Sequence, residues 1–230
     1  MAERPFSPQS SRSPLKAVIL AAGRGQRLRE ESKGWLKPLT PLLGCTLLER
    51  AVLSCRAAGV EKCYVVVGYG KEHILSHIDA LAHHYRVHIR GVGNLLWEEG
   101  NGTSVSAAMP YVQEPFFLIM CDHVFDPTIL STLVTAGRQV EGCVLAVDSR
   151  IDQIFELEDA TKVRRNGQAI VAIGKELTVY DAIDTGLFFC RPSVFQALEQ
   201  ARAAGDASLT GGIRRLISAD RMRAVDIGNR

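Results

Sequence analysis

From Lys16 onward the chain repeats one unit: a short apolar run, a loop, then a stretch in which apolar residues recur every three or four positions. Ala17-Val-Ile-Leu20 is the first apolar run, short and unbroken as a strand buried on both faces should be. Residues 46–58 then carry Leu47, Leu48, Ala51, Val52 and Cys55 at helical spacing, opened by the capping box Thr46 and Glu49 and closed by Gly59. The run Lys62–Val67 gives a second strand before the turn Gly68-Tyr69-Gly70. A third cycle pairs a helix over 71–82 with a strand over 87–91, and a fourth pairs a helix over 103–109 with a strand over 115–122. Such alternation predicts parallel strands with helices on both faces and ligands outside the carboxyl ends of the strands. The chemistry should therefore lie just after Leu20, Val67 and Met120.

Beyond about Val140 the pattern changes to strands over 143–147, 162–165, 169–173 and 183–190, then helices over 192–204 and 209–219. This half is expected to cover the open side of the sheet and to hold a second ligand. The domain plan is thus a loose Ser- and Pro-containing tail over residues 1–14, then one domain over 15–230 whose halves divide near residue 140.

Composition narrows the class. With 47% hydrophobic and 23% charged residues, 230 residues can bury a full core, and a net charge of +2 does not call for a nucleic-acid partner. No apolar run approaches a membrane span and no signal peptide is evident, so a cytoplasmic protein is expected. Six cysteines without framework spacing read as buried thiols, with Cys121 set apart by its neighbour Asp122. The i, i+4 pair His73 and His77 lacks a third ligand and reads as a solvated helix face.

Leu20-Ala21-Ala22-Gly23-Arg24-Gly25-Gln26-Arg27 directly follows the first strand, and its small residues let backbone N–H groups approach a polyphosphate. It is neither a dinucleotide fingerprint, since Leu28 replaces the third glycine, nor a Walker loop. With Lys37-Pro38-Leu39, Gly44 and Val65-Val-Val-Gly68-Tyr69, however, it resembles the pattern of the sugar-phosphate nucleotidyltransferases. The resemblance implies a Rossmann-like (GT-A-like) α/β fold with a mixed, mainly parallel sheet. It also implies phosphate roles for Arg27 and Lys37 and nucleotide contacts from the loop and from Gly68 and Tyr69. Attack of one phosphate on another brings two anions together, so a planar arginine clamp and a mobile lysine charge suit the task.

Asp122 ends the strand over 115–122 at the ligand edge, where a hard carboxylate oxygen suits Mg²⁺. The helix that follows already has its cap in Asp126, ahead of Pro127. His123 reads equally as an orienting partner of that carboxylate or as the next loop residue. Gly100-Asn101-Gly102-Thr103-Ser104 opens a helix, which makes its N–H groups and hydroxyls donors to a base or phosphate, and it resembles the family's Gly-Thr element.

In the second half, Asp159-Ala-Thr-Lys162-Val163, Ile173-Gly-Lys175 and Asp181-Ala-Ile-Asp184-Thr185-Gly186, with Leu209-Thr210, resemble a narrower group, the CTP:inositol-1-phosphate cytidylyltransferases. That resemblance implies CTP and inositol 1-phosphate as substrates. Lys175 would meet the acceptor phosphate, Asp184 and Thr185 would face its hydroxyls, and Lys162 is expected at the surface. Asp181 and Asp184 read as polyol partners in preference to a metal pair. In that family the stretch after Asp226-Ile-Gly228 leads to a further aspartate that joins the Asp122 position on Mg²⁺, so an element beyond Arg230 is expected to be lacking here. Many relatives also carry a membrane CDP-alcohol phosphotransferase half, which implies such a partner. The competing expectations are another acceptor (phosphocholine, a phosphonate or a hexose 1-phosphate, with CTP or UTP as donor) and a nucleotide-binding module without catalysis.

Overall fold

The computed structural model describes residues 15–25 and 34–230. The tail expected over residues 1–14 and Arg27 both lie outside them. Among the described residues the framework is one nine-stranded mixed sheet. Four parallel strands come from the first half: β1 (Lys16–Ala21), β4 (Lys62–Val67), β5 (His88–Gly93) and β6 (Phe116–Met120), in the order β5-β4-β1-β6. The two-residue strands β2 (Pro41–Leu42) and β3 (Cys45–Thr46) form a separate hairpin.

The second half covers this sheet only in part: its helices pack on one face, with Phe195 stacked on Phe116, whereas its strands, against expectation, extend the sheet. β10 (Ala182–Cys190) joins β6 in antiparallel register, pairing Phe188 with Leu118, and β7 (Cys143–Asp148) follows on its other side. Beyond β7 come β11 (Met222–Asp226), parallel to it, then β9 (Ala169–Gly174) and β8 (Lys162–Asn166). β8 also pairs with the start of β10 at Ala182 and Ile183, which curls that end of the sheet. β11 has no counterpart among the strands expected from the sequence: Met222-Arg-Ala-Val-Asp226 is only five residues long, and charges at Arg223 and Asp226 interrupt its apolar character.

Alternate residues of the central strands feed two cores. Val18, Leu20, Phe116, Leu118 and Leu145 pack with helices α3 (Asn101–Ala107), α5 (Ser193–Ala203) and α6 (Leu209–Ser218). On the opposite face Ala17, Ile19, Phe117, Ile119 and Val144 pack with α1 (Leu47–Ala57), α2 (Lys71–Tyr85) and α4 (Thr128–Gly137). Ile19, Leu118 and Ile119 are wholly buried, each contributing about 1.5–3 kcal/mol relative to exposure. Among the described residues, no helix is long and apolar enough to cross a membrane.

Several local readings meet their structure. Asp126 Oδ1 accepts from the Thr128 amide at 2.8 Å, as the cap requires. α2 runs three residues past the expected end, to Tyr85, and stops where Arg86 turns left-handed. His77 is not a solvated partner of His73: its Nε2 lies 3.0 Å from Thr46 Oγ1, which ties α2 to the start of α1. Thr46 Oγ1 also accepts from the Glu49 amide at 3.1 Å while Glu49 returns a bond to the Thr46 amide, so the capping box is complete. Replacing Thr46 with alanine should therefore lower unfolding free energy by about 1 kcal/mol in chemical denaturation, and Thr46→Ser should retain most of it.

Candidate active site

The carboxyl end of β6 and the first half of β10 bound an open cleft of about 570 Å³, closed on its far side by the segment 154–161 and the start of α6. Lys37, Asn101, Asp122, His123, Lys175 and Asp184 all line it. The backbone of the first strand continues towards it in a fixed path: Leu20 C=O accepts from the Cys121 amide and Ala22 C=O from the Tyr69 amide. Gly23 is exposed, with open space where a side chain would stand. Gly25 is left-handed (φ 59°), and a Cβ there would come within 2.6 Å of Lys37 Cβ, so the missing methyl lets the glycine loop close on the lysine stem.

Lys37 starts a short 3₁₀ turn and directs its ammonium to Asp122 Oδ2 in an ion pair. The other carboxylate oxygen accepts from His123 Nδ1 at 3.0 Å, so His123 is the orienting partner and not merely the next loop residue. Burial pushes the Asp122 carboxyl up. His123 and Lys37, by hydrogen bond and charge, outweigh that effect and hold it well below the usual carboxylate range. Gly186 (φ 72°) lies against this pair, since a Cβ there would meet His123 Cε1 at 3.0 Å and Met120 Cγ at 2.9 Å. Burial, reinforced by the Asp122 charge, raises the neighbouring Cys121 thiol, which makes it an unreactive packing residue. The six cysteines are free thiols.

Among the described residues no group of three or more His, Cys, Asp or Glu side chains converges as a metal cage. A single cleft-facing carboxylate nevertheless fits a Mg²⁺ ion of the kind that keeps its waters and takes its remaining oxygens from substrate phosphates.

The other sequence-derived residues divide by position. Arg24 stands beside the glycine loop, its guanidinium 5.2 Å from the Trp97 ring and 5.7 Å from the Tyr69 ring, and bonded to Glu98 at 2.9 Å. Gly68 has no side chain to keep Trp97 and the Ala22 carbonyl away, so this aromatic wall packs onto the loop. Leu20, Ala21 and Ala22 are buried. Gly102, Thr103 and Ser104 are buried too: the Gly102 amide donates to Ala207 C=O, Thr103 Oγ1 to Leu96 C=O at 2.9 Å, and Asn94 Nδ2 donates to both hydroxyl oxygens. The open set of donors expected at this helix start is thus internal scaffolding, and Asn101 alone of the group lines the cleft, its Oδ1 accepting from the Leu209 amide.

On the opposite wall Lys175 Nζ pairs with Asp159 Oδ1 at 2.6 Å. Thr185 departs from the expected role: its hydroxyl donates to Ala146 C=O at 2.7 Å and it borders a neighbouring hollow, because alternate residues of β10 face opposite sides. Asp181 pairs with Arg165 at 2.9 Å and does not line the cleft, whereas Asp184 does. Glu156, Thr161 and Thr210 line the cleft as well. Glu156 and Trp97 sit in irregular loops, where no periodicity marks them.

Asp184 is the perturbed carboxyl of this wall. Burial raises its pKa to about 6, with the Gly186 amide at 2.7 Å and the His123 charge opposing part of the rise. Because the folded value exceeds the unfolded one, its contribution to stability is complete below about pH 4 and lost as pH rises through about 6. Denaturation across pH 4–7 should show the wild type losing about 1–3 kcal/mol relative to Asp184→Asn.

Comparison with known proteins gives this arrangement its family. The MobA-like NTP transferase domain matches residues 17–224. The bifunctional IPC transferase and DIPP synthase of Rubrobacter xylanophilus is 39% identical over 193 residues, 84% of this chain and 42% of that protein; its counterpart in Aquifex aeolicus is 31% identical over 80% and 41%. The chain therefore spans less than half the length of these relatives. The solved inositol-1-phosphate CTP transferase from T. maritima superposes with a TM-score of 0.82 at 31% identity, covering 94% of this chain and 86% of that one. A sheet that carries a glycine loop, a lysine and an aspartate to one cleft, matched in sequence along nearly its whole length, makes this chain a member of the MobA-like NTP transferase family.

Proposed function

We propose that this domain transfers a cytidylyl group from CTP to inositol 1-phosphate, giving CDP-inositol and pyrophosphate. The observation that carries the reading is the single cleft with the Lys37–Asp122 pair on one wall and Lys175, Asp159 and Asp184 on the other. One wall suits a triphosphate and the other a phosphorylated polyol. The match to the T. maritima inositol-1-phosphate CTP transferase supports that assignment of substrates.

In this reaction an acceptor phosphate oxygen, already ionised at neutral pH, attacks the α-phosphorus of CTP. The bond to the β-phosphate oxygen breaks and its electron pair leaves on pyrophosphate, so no side chain has to remove a proton. Lys37 follows the negative charge that grows on the α-phosphate, and Arg27 adds a second cation from the glycine loop. The exposed Gly23 allows backbone N–H groups to approach the phosphates, and the loop with Gly68 and Tyr69 bounds the nucleotide side. Lys175 leaves Asp159 for the acceptor phosphate. Asp184 and Glu156 accept hydrogen bonds from acceptor hydroxyls. Asp122 would hold Mg²⁺, which when bound supplies Lewis-acid neutralisation of the triphosphate. CDP-inositol is an activated donor of inositol phosphate with CMP as leaving group, which suits a membrane CDP-alcohol phosphotransferase as the partner that consumes it.

Pyrophosphate release with CTP or UTP, against inositol 1-phosphate, glucose 1-phosphate and phosphocholine, tests the proposal. The expected result is turnover with CTP and inositol 1-phosphate, reduced by about 100-fold or more in kcat by Asp122→Asn. Turnover of glucose 1-phosphate without inositol 1-phosphate overturns the acceptor, and calorimetric CTP binding without pyrophosphate release in the presence of any acceptor overturns catalysis.

A further inference from the structure

Lys162 is the only charged residue buried to the level of the core among the described residues, at 9% exposure. It sits on β8 opposite Gly174 of β9 and beside Ile183 of β10, under the segment that links those two strands. Its ammonium donates to the backbone carbonyl of Lys175 at 2.8 Å and lies 5.8 Å from the centre of the Tyr180 ring. No carboxylate pairs with it among the described residues, whereas Lys175 and Arg165 nearby each have one.

A buried ammonium without a counterion gives up hydration that one carbonyl only partly replaces, and an apolar side chain of similar length would fill the same slot without that loss. What the cation contributes must lie in the groups it holds. Those groups are the first and nearly the last residue of the segment 175–181, the loop that carries Lys175 to the rim of the cleft. A carbonyl bonded to a charged donor is held more firmly than one bonded to a neutral amide. The cation–π contact fixes the other end of the same loop. Lys175 is thus anchored through its backbone while its side chain, half exposed and paired with Asp159, stays able to exchange partners.

We infer that Lys162 is a positioning residue for the acceptor side of the cleft: by clipping the Lys175 carbonyl and the Tyr180 ring, it fixes the loop from which the Lys175 ammonium passes from Asp159 to an acceptor phosphate. The inference rests on the reading of Lys175 as the cation that meets that phosphate.

Two measurements on the full chain test it, using Lys162→Met, which fills the slot without charge, and Lys162→Arg, which restores a cationic donor. Backbone NMR order parameters, recorded without substrate, should fall in the Met variant from about 0.85 to below about 0.6 over residues 175–180 and recover in the Arg variant. Unchanged values overturn the clip. In steady-state assays the Met variant should raise KM for inositol 1-phosphate about tenfold, the scale of one lost charge-assisted hydrogen bond, with KM for CTP and kcat within about twofold and most of the loss restored by arginine. A wild-type acceptor KM overturns the inference. So does a fall in kcat together with a rise in both KM values and a lower melting temperature, because that pattern belongs to a merely structural residue. If the wild type turns over no phosphomonoester, the substrate reading fails, and the order parameters alone decide whether Lys162 holds the loop.

Discussion

Burial of the central strands on both faces is the constraint from which the rest follows. β1 and β6 present Ala17, Ile19, Phe117 and Ile119 to one set of helices and Val18, Leu20, Phe116 and Leu118 to the other. Neither face of such a strand leaves room for charge, so polar chemistry is pushed to the strand ends. Asp122 stands where β6 has just stopped, and Lys37 reaches it from a turn outside the sheet. The same exclusion gives the pair its character: desolvation opposes the ionised form of Asp122, and its bonds to His123 and Lys37 outweigh that and hold the carboxyl well below the usual range.

Packing, more than hydrogen bonding, sets how close these groups come. At Gly25 and Gly186 the absent methyl brings backbone against Lys37 and His123, and both glycines hold a left-handed conformation that a side chain would strain. The two walls of the cleft are built differently. The wall that bears Lys37 and Asp122 stands at the end of the parallel strands, whereas the opposite wall combines Asp184 of β10 with loops tied by Lys175–Asp159 and by Lys162.

Much of this was legible in the sequence because local signals and tertiary structure agree there. The unbroken runs of β1 and β4, the Thr46–Glu49 box and the helical spacing of α1 each report an environment that the folded chain provides. The cleft residues Lys37, Asp122, Lys175 and Asp184 follow from motifs at strand ends, which topology brings together. What stayed hidden depends on non-local pairing. That the second half widens the sheet, besides covering one face with its helices, depends on the antiparallel docking of β10 on β6, and no periodicity encodes that docking. The side to which Thr185 points depends on the register of the same strand, irregular between Asp184 and Phe188. Thr103 and Ser104 read as ligand donors because their partners, Asn94 and Leu96, lie in a separate loop. Lys162 looked like a surface cation because alternation along a strand does not say what will later cover it.

The docking of β10 on β6 has a mechanical consequence. Hydrogen bonds from Cys190 to Leu187 join the two halves directly, so the sheet is one continuous plate with no seam at its centre. A cleft spanning such a plate has no hinge about which its walls could rotate as bodies. Any change in the width of the cleft falls instead to segments outside the strands, such as 154–161 at its rim.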